Sequence, residues 1–217
     1  VLSGCADLHS LDALKLAEAG QCDQAISEAT QAVEMDAKKR HSFYWVGLGC
    51  YRKGQYQQAE QAFLKLIELR EAGPQLASSY SYLGLIYGKM GKYDQAVQSF
   101  KSGLGIDPND AVTHNNLGMA YIESGQYEKA IESLQQAIKL DPNTGRNYNN
   151  IGHAYYKLGK YDESVKAFER AKSLGYSGPY LQENLQAAYQ RKSQQETKLS
   201  SLLIEGRRLE ANGRLRE

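Results

Sequence analysis

Residues 111–144 read AVTHNNLGMAYIESGQYEKAIESLQQAIKLDPNT, and this stretch decides the fold. Its punctuation recurs on both sides at one step. Gly84, Gly118 and Gly152 are 34 residues apart, as are Tyr87, Tyr121 and Tyr155; Gly91, Gly125 and Gly159; and Tyr93, Tyr127 and Tyr161. Ala96, Ala130 and Ser164 keep the same step, and so do Pro108 and Pro142. A sustained period of this length marks an array of supersecondary units stacked along one dimension. The apolar spacing inside each unit is helical and no strand pattern competes, so the fold class is all-α.

The clearest units are 77–110, 111–144 and 145–178. Before them, 40–73 keeps Phe43, Gly47, Gly54, Tyr56, Ala59 and Phe63 in register, followed by a three-residue insertion around Pro74. In 6–39 only Leu16, Gly20, Ala25 and Ala32 fit. After 178, Leu185 and Tyr189 suit a further first helix opened by Pro179. Residues 179–217 read as C-terminal helices, with Leu202, Gly206, Leu209 and Gly213 in register with one more, truncated repeat.

Each unit reads as two helices. The glycine at the fifteenth position (Gly20, Gly54, Gly91, Gly125, Gly159) ends the first helix in a left-handed turn. Asp107-Pro108 and Asp141-Pro142 end second helices, because the residue before proline avoids the helical region. Gly47, Gly84, Gly118 and Gly152 sit inside first helices, where glycine costs ~1 kcal/mol relative to alanine. That cost implies close approach of a second helix, with the small residues Ala25, Ala59, Ala96 and Ala130 expected opposite. The tyrosines at the eleventh position (Tyr87, Tyr121, Tyr155) and those opening second helices (Tyr93, Tyr127, Tyr161) read as core.

The order of an aromatic or apolar residue, Leu-Gly, Tyr, Gly, Tyr, Ala, Phe, Ala and Pro resembles the tetratricopeptide repeat family. The resemblance covers about 6–192 and implies a right-handed superhelical solenoid of antiparallel helix pairs. It also implies a concave groove lined by positions two, five, six, nine, twelve and thirteen of each unit. The sixth position reads Leu11, Trp45, Tyr82, Asn116, Asn150, Asn184; the fifth reads Ser10, Tyr44, Ser81, Asn115, Asn149, Glu183. The thirteenth reads Glu18, Arg52, Lys89, Glu123, Lys157, Arg191.

Asn116, Asn150 and Asn184 form a ladder of groups that each donate and accept, matching a peptide unit. Packed helices lie ~8–10 Å apart and an extended chain covers ~3.3–3.6 Å per residue, so one rung serves about every third ligand residue. The column is similar to the asparagine ladder of the O-linked N-acetylglucosamine transferase repeat region. The lysine, asparagine and arginine set of the chaperone-tail carboxylate clamp is missing. The candidate peptide-binding residues are therefore Asn116, Asn150, Asn184, Asn115 and Asn149, the aromatic Tyr44, Trp45 and Tyr82, and the cationic edge of Arg52, Lys89, Lys157 and Arg191. The cationic edge favours a ligand with acidic residues or a free carboxylate. The expected partner is a protein or peptide segment, and self-association is also open.

Other function classes recede. A net charge of +1 shows no basic excess, which a large nucleic-acid footprint would bring. Of the four histidines, His9, His41, His114 and His153, the last two fall at the fourth and ninth positions of different repeats with no acidic or cysteine partner at metal-ligand spacing, and no nucleophile triad or phosphate loop is present. No metal, cofactor or catalytic residue is expected. Cys22 and Cys50 read as buried small apolar residues, although their places on adjacent repeats leave a disulfide open.

Leu2-Ser3-Gly4-Cys5 resembles the lipobox of bacterial lipoproteins, which implies acylation of Cys5 and a membrane contact made only through that lipid. The expected setting is a bacterial periplasm-facing membrane surface, in a scaffold that assists assembly of a protein complex. The alternatives are a soluble cytoplasmic adaptor and the substrate-recruiting repeat region of a larger enzyme such as a glycosyltransferase.

Overall fold

The computed structural model describes residues 2–69 and 74–211. Among them the regular structure is helical throughout: α1 (Leu2–Ala19), α2 (Cys22–Met35), α3 (Ser42–Arg52), α4 (Tyr56–Glu68), α5 (Pro74–Lys89), α6 (Tyr93–Ile106), α7 (Ala111–Glu123), α8 (Tyr127–Leu140), α9 (Gly145–Lys157), α10 (Tyr161–Ser173) and α11 (Leu181–Ala211). A single 3-10 turn, Ala37–His41, lies between α2 and α3. The chain divides into two compact units, Val1–Gln126 and Tyr127–Glu217. In the first, α1 packs on α2, α3 on α4 and α5 on α6, and the first helices α1, α3, α5 and α7 are successive neighbours. In the second, α9 packs on α8 and α10, and α11 covers α10 and α9.

The turns inside the pairs are built from backbone alone. At Gly91, φ is +72°; its N–H bonds Gly88 O at 3.1 Å and the Lys92 N–H bonds Tyr87 O at 2.8 Å. That pair of bonds satisfies carbonyls that the helix end leaves open, and the left-handed residue between them favours glycine. The same two bonds recur at 20–21, 54–55, 125–126 and 159–160, and once more at 175–176 after α10.

At three of the glycines inside first helices, Gly47, Gly84 and Gly152, the nearest group is a phenylalanine ring. A β-carbon on Gly84 would lie 2.5 Å from the Phe100 ring, one on Gly47 2.9 Å from Phe63, and one on Gly152 2.8 Å from Phe168. Ala25, Ala59, Ala96 and Ala130 are fully buried, and at Gly47, Gly84 and Gly152 the nearest atoms are those of the ring. Phe63, Phe100 and Phe168 are at most 2% exposed, and truncating a ring of this kind to alanine costs ~3–5 kcal/mol.

Tyr87 and Tyr121 belong to the core as expected. Burial first, then a bond to Glu60, pushes the Tyr87 phenol up to about 12; its O–H donates to Glu60 Oε1 at 2.9 Å and ties α5 to α4. Tyr155, Tyr93, Tyr127 and Tyr161 are only half-buried. Tyrosines that open second helices lie against the end of the preceding first helix, as the Tyr51–Tyr56 and Tyr156–Tyr161 ring pairs show at 5.9 and 5.6 Å.

Successive pairs are also joined by polar contacts from the fifth position of one first helix to the start of the next. Ser10 bonds Ser42, and Ser81 bonds Thr113 at 2.7 Å. At α9 the fifth position is Asn149, but α11 presents Leu181 where the earlier helices present Ser42 and Thr113. Asn149 Oδ1 is accordingly buried with no partner, while its Nδ2 donates to Asn150 Oδ1 at 3.2 Å.

Cys22 and Cys50 form a disulfide, correcting the reading of two buried thiols. Packing of α2 on α3 brings their Cα atoms to 5.8 Å, within the bridging range, and both residues are buried. A second correction concerns 181–211, expected as more than one helix. It is one helix of 31 residues, because Ser193 stands where a turn glycine would be and no proline interrupts it. Leu181, Leu185 and Ala188 pack with Phe168, whereas Leu199, Leu202, Leu203 and Ile204 are exposed. Gly213, read as the turn of a further repeat, lies outside the described residues.

Two outcomes follow from the packing. The disulfide closes a separation of 28 residues, so losing it costs roughly 3–4 kcal/mol by loop entropy. Reductant is expected to lower the unfolding midpoint of the wild-type first unit, read by Trp45 fluorescence, and to leave a Cys22→Ala/Cys50→Ala variant unmoved. Asn149→Leu is expected to hold or raise the melting temperature, since an unpaired buried acceptor disappears. Asn115→Leu, at the same position of α7 but buried with a partner, is expected to lose ~1–3 kcal/mol.

Candidate peptide-binding clefts

In the first unit, the sixth position of successive first helices carries Leu11, Trp45, Tyr82 and Asn116. Leu11 and Trp45 are about half exposed, so the row starts apolar and ends in an amide. Tyr82 is stacked on Phe63 with the rings 1° from parallel and 5.4 Å apart. Tyr44 meets Trp45, Phe63 and Tyr82 edge-on at 5.2, 6.0 and 6.3 Å. Burial raises the Tyr44 and Tyr51 phenols above their usual range. Tyr44 and Tyr82 thus hold a shelf in place, and Trp45 is the ring offered to solvent. Arg52, at the end of α3, is exposed and close enough to act electrostatically on Tyr44.

A cleft of about 270 Å³ opens between α5 and α7. Phe100 and Tyr93 lie at its base, Gly84, Leu85 and Gly88 on one wall, and Asn116, Met119 and Ala120 on the other. Lys89 and Glu123 face it from the two thirteenth positions. A β-carbon on Gly88 would meet nothing within 4 Å, so the missing side chain is free volume in the cleft. Asn116 is half-buried and makes no side-chain hydrogen bond among the described residues, which leaves its amide available to a ligand.

The second unit has a cleft of about 200 Å³ between α9 and α11, lined by His153, Tyr156, Lys157, Phe168, Asn184 and Ala187. Asn184 is half-buried, with no side-chain hydrogen bond among the described residues. Lys157 is exposed, and the Tyr156 phenol beside Arg191 on α11 raises the guanidinium above its usual range.

The asparagine candidates therefore separate. Asn116 and Asn184 each line a cleft. Asn150, expected to be partly exposed with a free amide, is buried and accepts from Asn149. Asn115 is buried and engaged, and Asn149 belongs to the packing just described. Within the first unit the fifth-position Ser10 and Ser81 bond the next first helix, and in α9 the Asn149 Oδ1 is shut off from solvent. Leu85, Met119 and Ala187 at the ninth position, and Gly88 and Tyr156 at the twelfth, were not among the candidates. Reading the family's groove pattern at all of its positions would have found them. Among the described residues, no three His, Cys, Asp or Glu side chains gather as metal ligands would.

Family models described as tetratricopeptide repeat match residues 41–109, 100–132 and 146–174, and one described as TPR repeat matches 118–159. A comparison with curated proteins gives no significant match. Among solved structures, MamA residues 41 to the end from Desulfovibrio magneticus RS-1 is 23% identical, with a TM-score of 0.67 over 80% of this chain and 97% of that one. YrrB, described as a TPR protein with an unusual peptide-binding site, is 16% identical with a TM-score of 0.67, covering 81% and 89%. The first TPR of Spaghetti (RPAP3) bound to the HSP90 peptide SRMEEVD is 26% identical with a TM-score of 0.54, covering 56% and 97%. The matches overlap from residue 41 to residue 174 with the same helix-pair unit throughout, and the chain belongs to the tetratricopeptide repeat proteins.

Proposed function

We propose that this protein is a non-catalytic scaffold that holds an extended segment of a partner protein against the first helices of its repeats. The observation that carries the reading is the α5–α7 cleft: apolar walls, a phenylalanine base, free volume over Gly88 and an unengaged amide at Asn116. Apolar walls hold side chains while the amide pairs with a ligand backbone, the combination typical of a small recognition site. The likeness to the RPAP3 repeat domain solved with an HSP90 peptide supports a peptide ligand here. Trp45 beside the cleft unit supplies an exposed aromatic anchor of the kind that dominates binding energy at interfaces.

The proposed setting is an oxidising compartment, at a bacterial membrane surface facing the periplasm. Support comes from the Cys22–Cys50 disulfide, since a reducing cytosol keeps such pairs as thiols. Cys5, the last residue of the lipobox-like Leu2-Ser3-Gly4-Cys5, is exposed and free to carry a diacylglycerol thioether. Each buried acyl CH₂ adds ~0.8 kcal/mol, so a multiply acylated cysteine holds a water-facing domain on a bilayer. No helix among the described residues is long and apolar enough to cross a membrane.

A terminally blocked random dodecapeptide library panned on the full chain tests the binding reading. Gly88→Phe is expected to fold normally and abolish capture, because its ring fills the cleft. Gly88→Ala is expected to gain ~0.5–1 kcal/mol of stability as a helical residue and keep most binding. Asn116→Ala is expected to weaken each recovered peptide by ~0.5–1.5 kcal/mol. Unchanged capture by Gly88→Phe refutes the cleft. The anchor is tested by expressing the complete reading frame in a Gram-negative host. Membrane association that Cys5→Ser abolishes is the expected result, and equal association of both forms refutes acylation.

A further inference from the structure

The last helix carries one apolar seam through two environments. In the first half of α11, Leu181, Leu185 and Ala188 are buried against Val165, Phe168 and Ala171 of α10. Lys192 ends that packing, its ammonium reaching back to Asp162 of α10 at 2.6 Å. Beyond it the same face runs on through Gln195, Leu199, Leu202, Gly206 and Leu209. From Leu181 to Leu209 the steps alternate between four and three residues, the heptad spacing that keeps one stripe on one side of a helix. Leu199 and Leu202 are each 59% exposed, and Leu203, which flanks the stripe, is 56% exposed. Ile204 falls outside the stripe. A β-carbon on Gly206 would meet nothing within 4 Å. The half of the seam that follows Lys192 is thus a continuation of the α10 interface without its partner.

We propose that this free seam is a self-association surface whose occupant is the same seam of a second copy, running antiparallel. The proposal is independent of what the clefts bind. Charge selects both the partner and the direction. In the register that sets Leu199 on the partner's Leu202, Lys198 stands across from the partner's Glu205, and by symmetry the pair occurs twice. Lys198 makes no ion pair among the described residues, and Glu205 meets only Arg208, at 3.5 Å and exposed. The same register lays the long Gln195 side chain over the partner's Gly206, where the missing β-carbon leaves room. A parallel pairing would instead set Glu205 against the partner's Glu210, and Lys192 beside the partner's Lys192. The antiparallel overlap runs from Lys192 to Leu209, about 27 Å at ~1.5 Å per residue. Each packed half then begins where the other copy's free half ends, so the packed halves do not overlap along the seam.

Sedimentation equilibrium of the full chain carrying Cys5→Ser, which removes disulfide-linked dimers, reads the association directly. The expected result is a mass that rises from one chain towards two between about 1 and 500 μM, since so short a seam holds a weak dimer. Leu199→Lys/Leu202→Lys is expected to remain a single chain throughout, with circular dichroism showing that the helices are retained. Lys198→Glu is expected to weaken the dimer about tenfold, because two attractive pairs become two repulsive ones. Lys198→Glu/Glu205→Lys reverses both partners and is expected to restore the wild-type association. A single chain at every concentration overturns the proposal. A dimer that survives Leu199→Lys/Leu202→Lys overturns it too, by placing the contact elsewhere. The antiparallel pairing is overturned if Lys198→Glu has no effect or if the charge-reversed pair stays weak. It is also overturned if Glu205→Lys alone tightens the dimer, because that lysine would face the partner's Glu210 in a parallel pair.

Discussion

In three helix pairs a phenylalanine ring packs so closely on a glycine that a β-carbon there would come within 2.5–2.9 Å of it. The rest of the structure depends on this contact. It sets how near the second helix comes to the first, and so how far apart successive first helices stand. Glycine lowers helix propensity at these positions, but the buried ring more than offsets that cost. The same rings have a second role. Phe100 and Phe168 also lie along the two clefts, although both are almost wholly buried. The ring that holds a pair together is thus also part of a cleft's lining.

Each first helix divides its positions between neighbours. In α5 the eighth faces Phe100 of its own second helix, the fifth bonds Thr113 of the next first helix, and the ninth, twelfth and thirteenth line the cleft. The division explains why two adjacent asparagines on one helix have different fates. Asn115 is buried and Asn116 is half-exposed, one residue and about 100° of helix apart. It also locates a defect. Where α11 supplies Leu181 in place of a hydroxyl, Asn149 keeps a buried oxygen unpaired, and its amide turns to Asn150 instead. One rung of the expected ladder is thereby spent on internal packing.

The disulfide adds a covalent constraint where the repeat pattern is weakest. The 6–39 unit matches the pattern only in its second half, and its first helix has no glycine at the eighth position, where Ala13 stands. A bridge from α2 to α3 ties this irregular pair to the regular array. Cross-linking acts on the unfolded chain and needs no repeat consensus. A sequence that departs from the pattern can still dock firmly when the compartment allows the bond.

The helical class, the 34-residue period and the turn positions were determined by the sequence by itself, because each is local. A glycine with positive φ and a proline after a helix act through the few residues around them, and the period repeats them visibly. Leu-Gly, Tyr and Ala columns carry the family pattern for the same reason. Contacts between residues far apart in the chain came into view only with the packed helices. Ser81 and Thr113 are 32 positions apart, Cys22 and Cys50 are 28 apart, and Gly84 meets a ring 16 residues on. Burial of Asn150 and the free volume over Gly88 likewise depend on how neighbouring helices fill space. Period and propensity describe one helix at a time, whereas a cleft is the space that two helices leave between them.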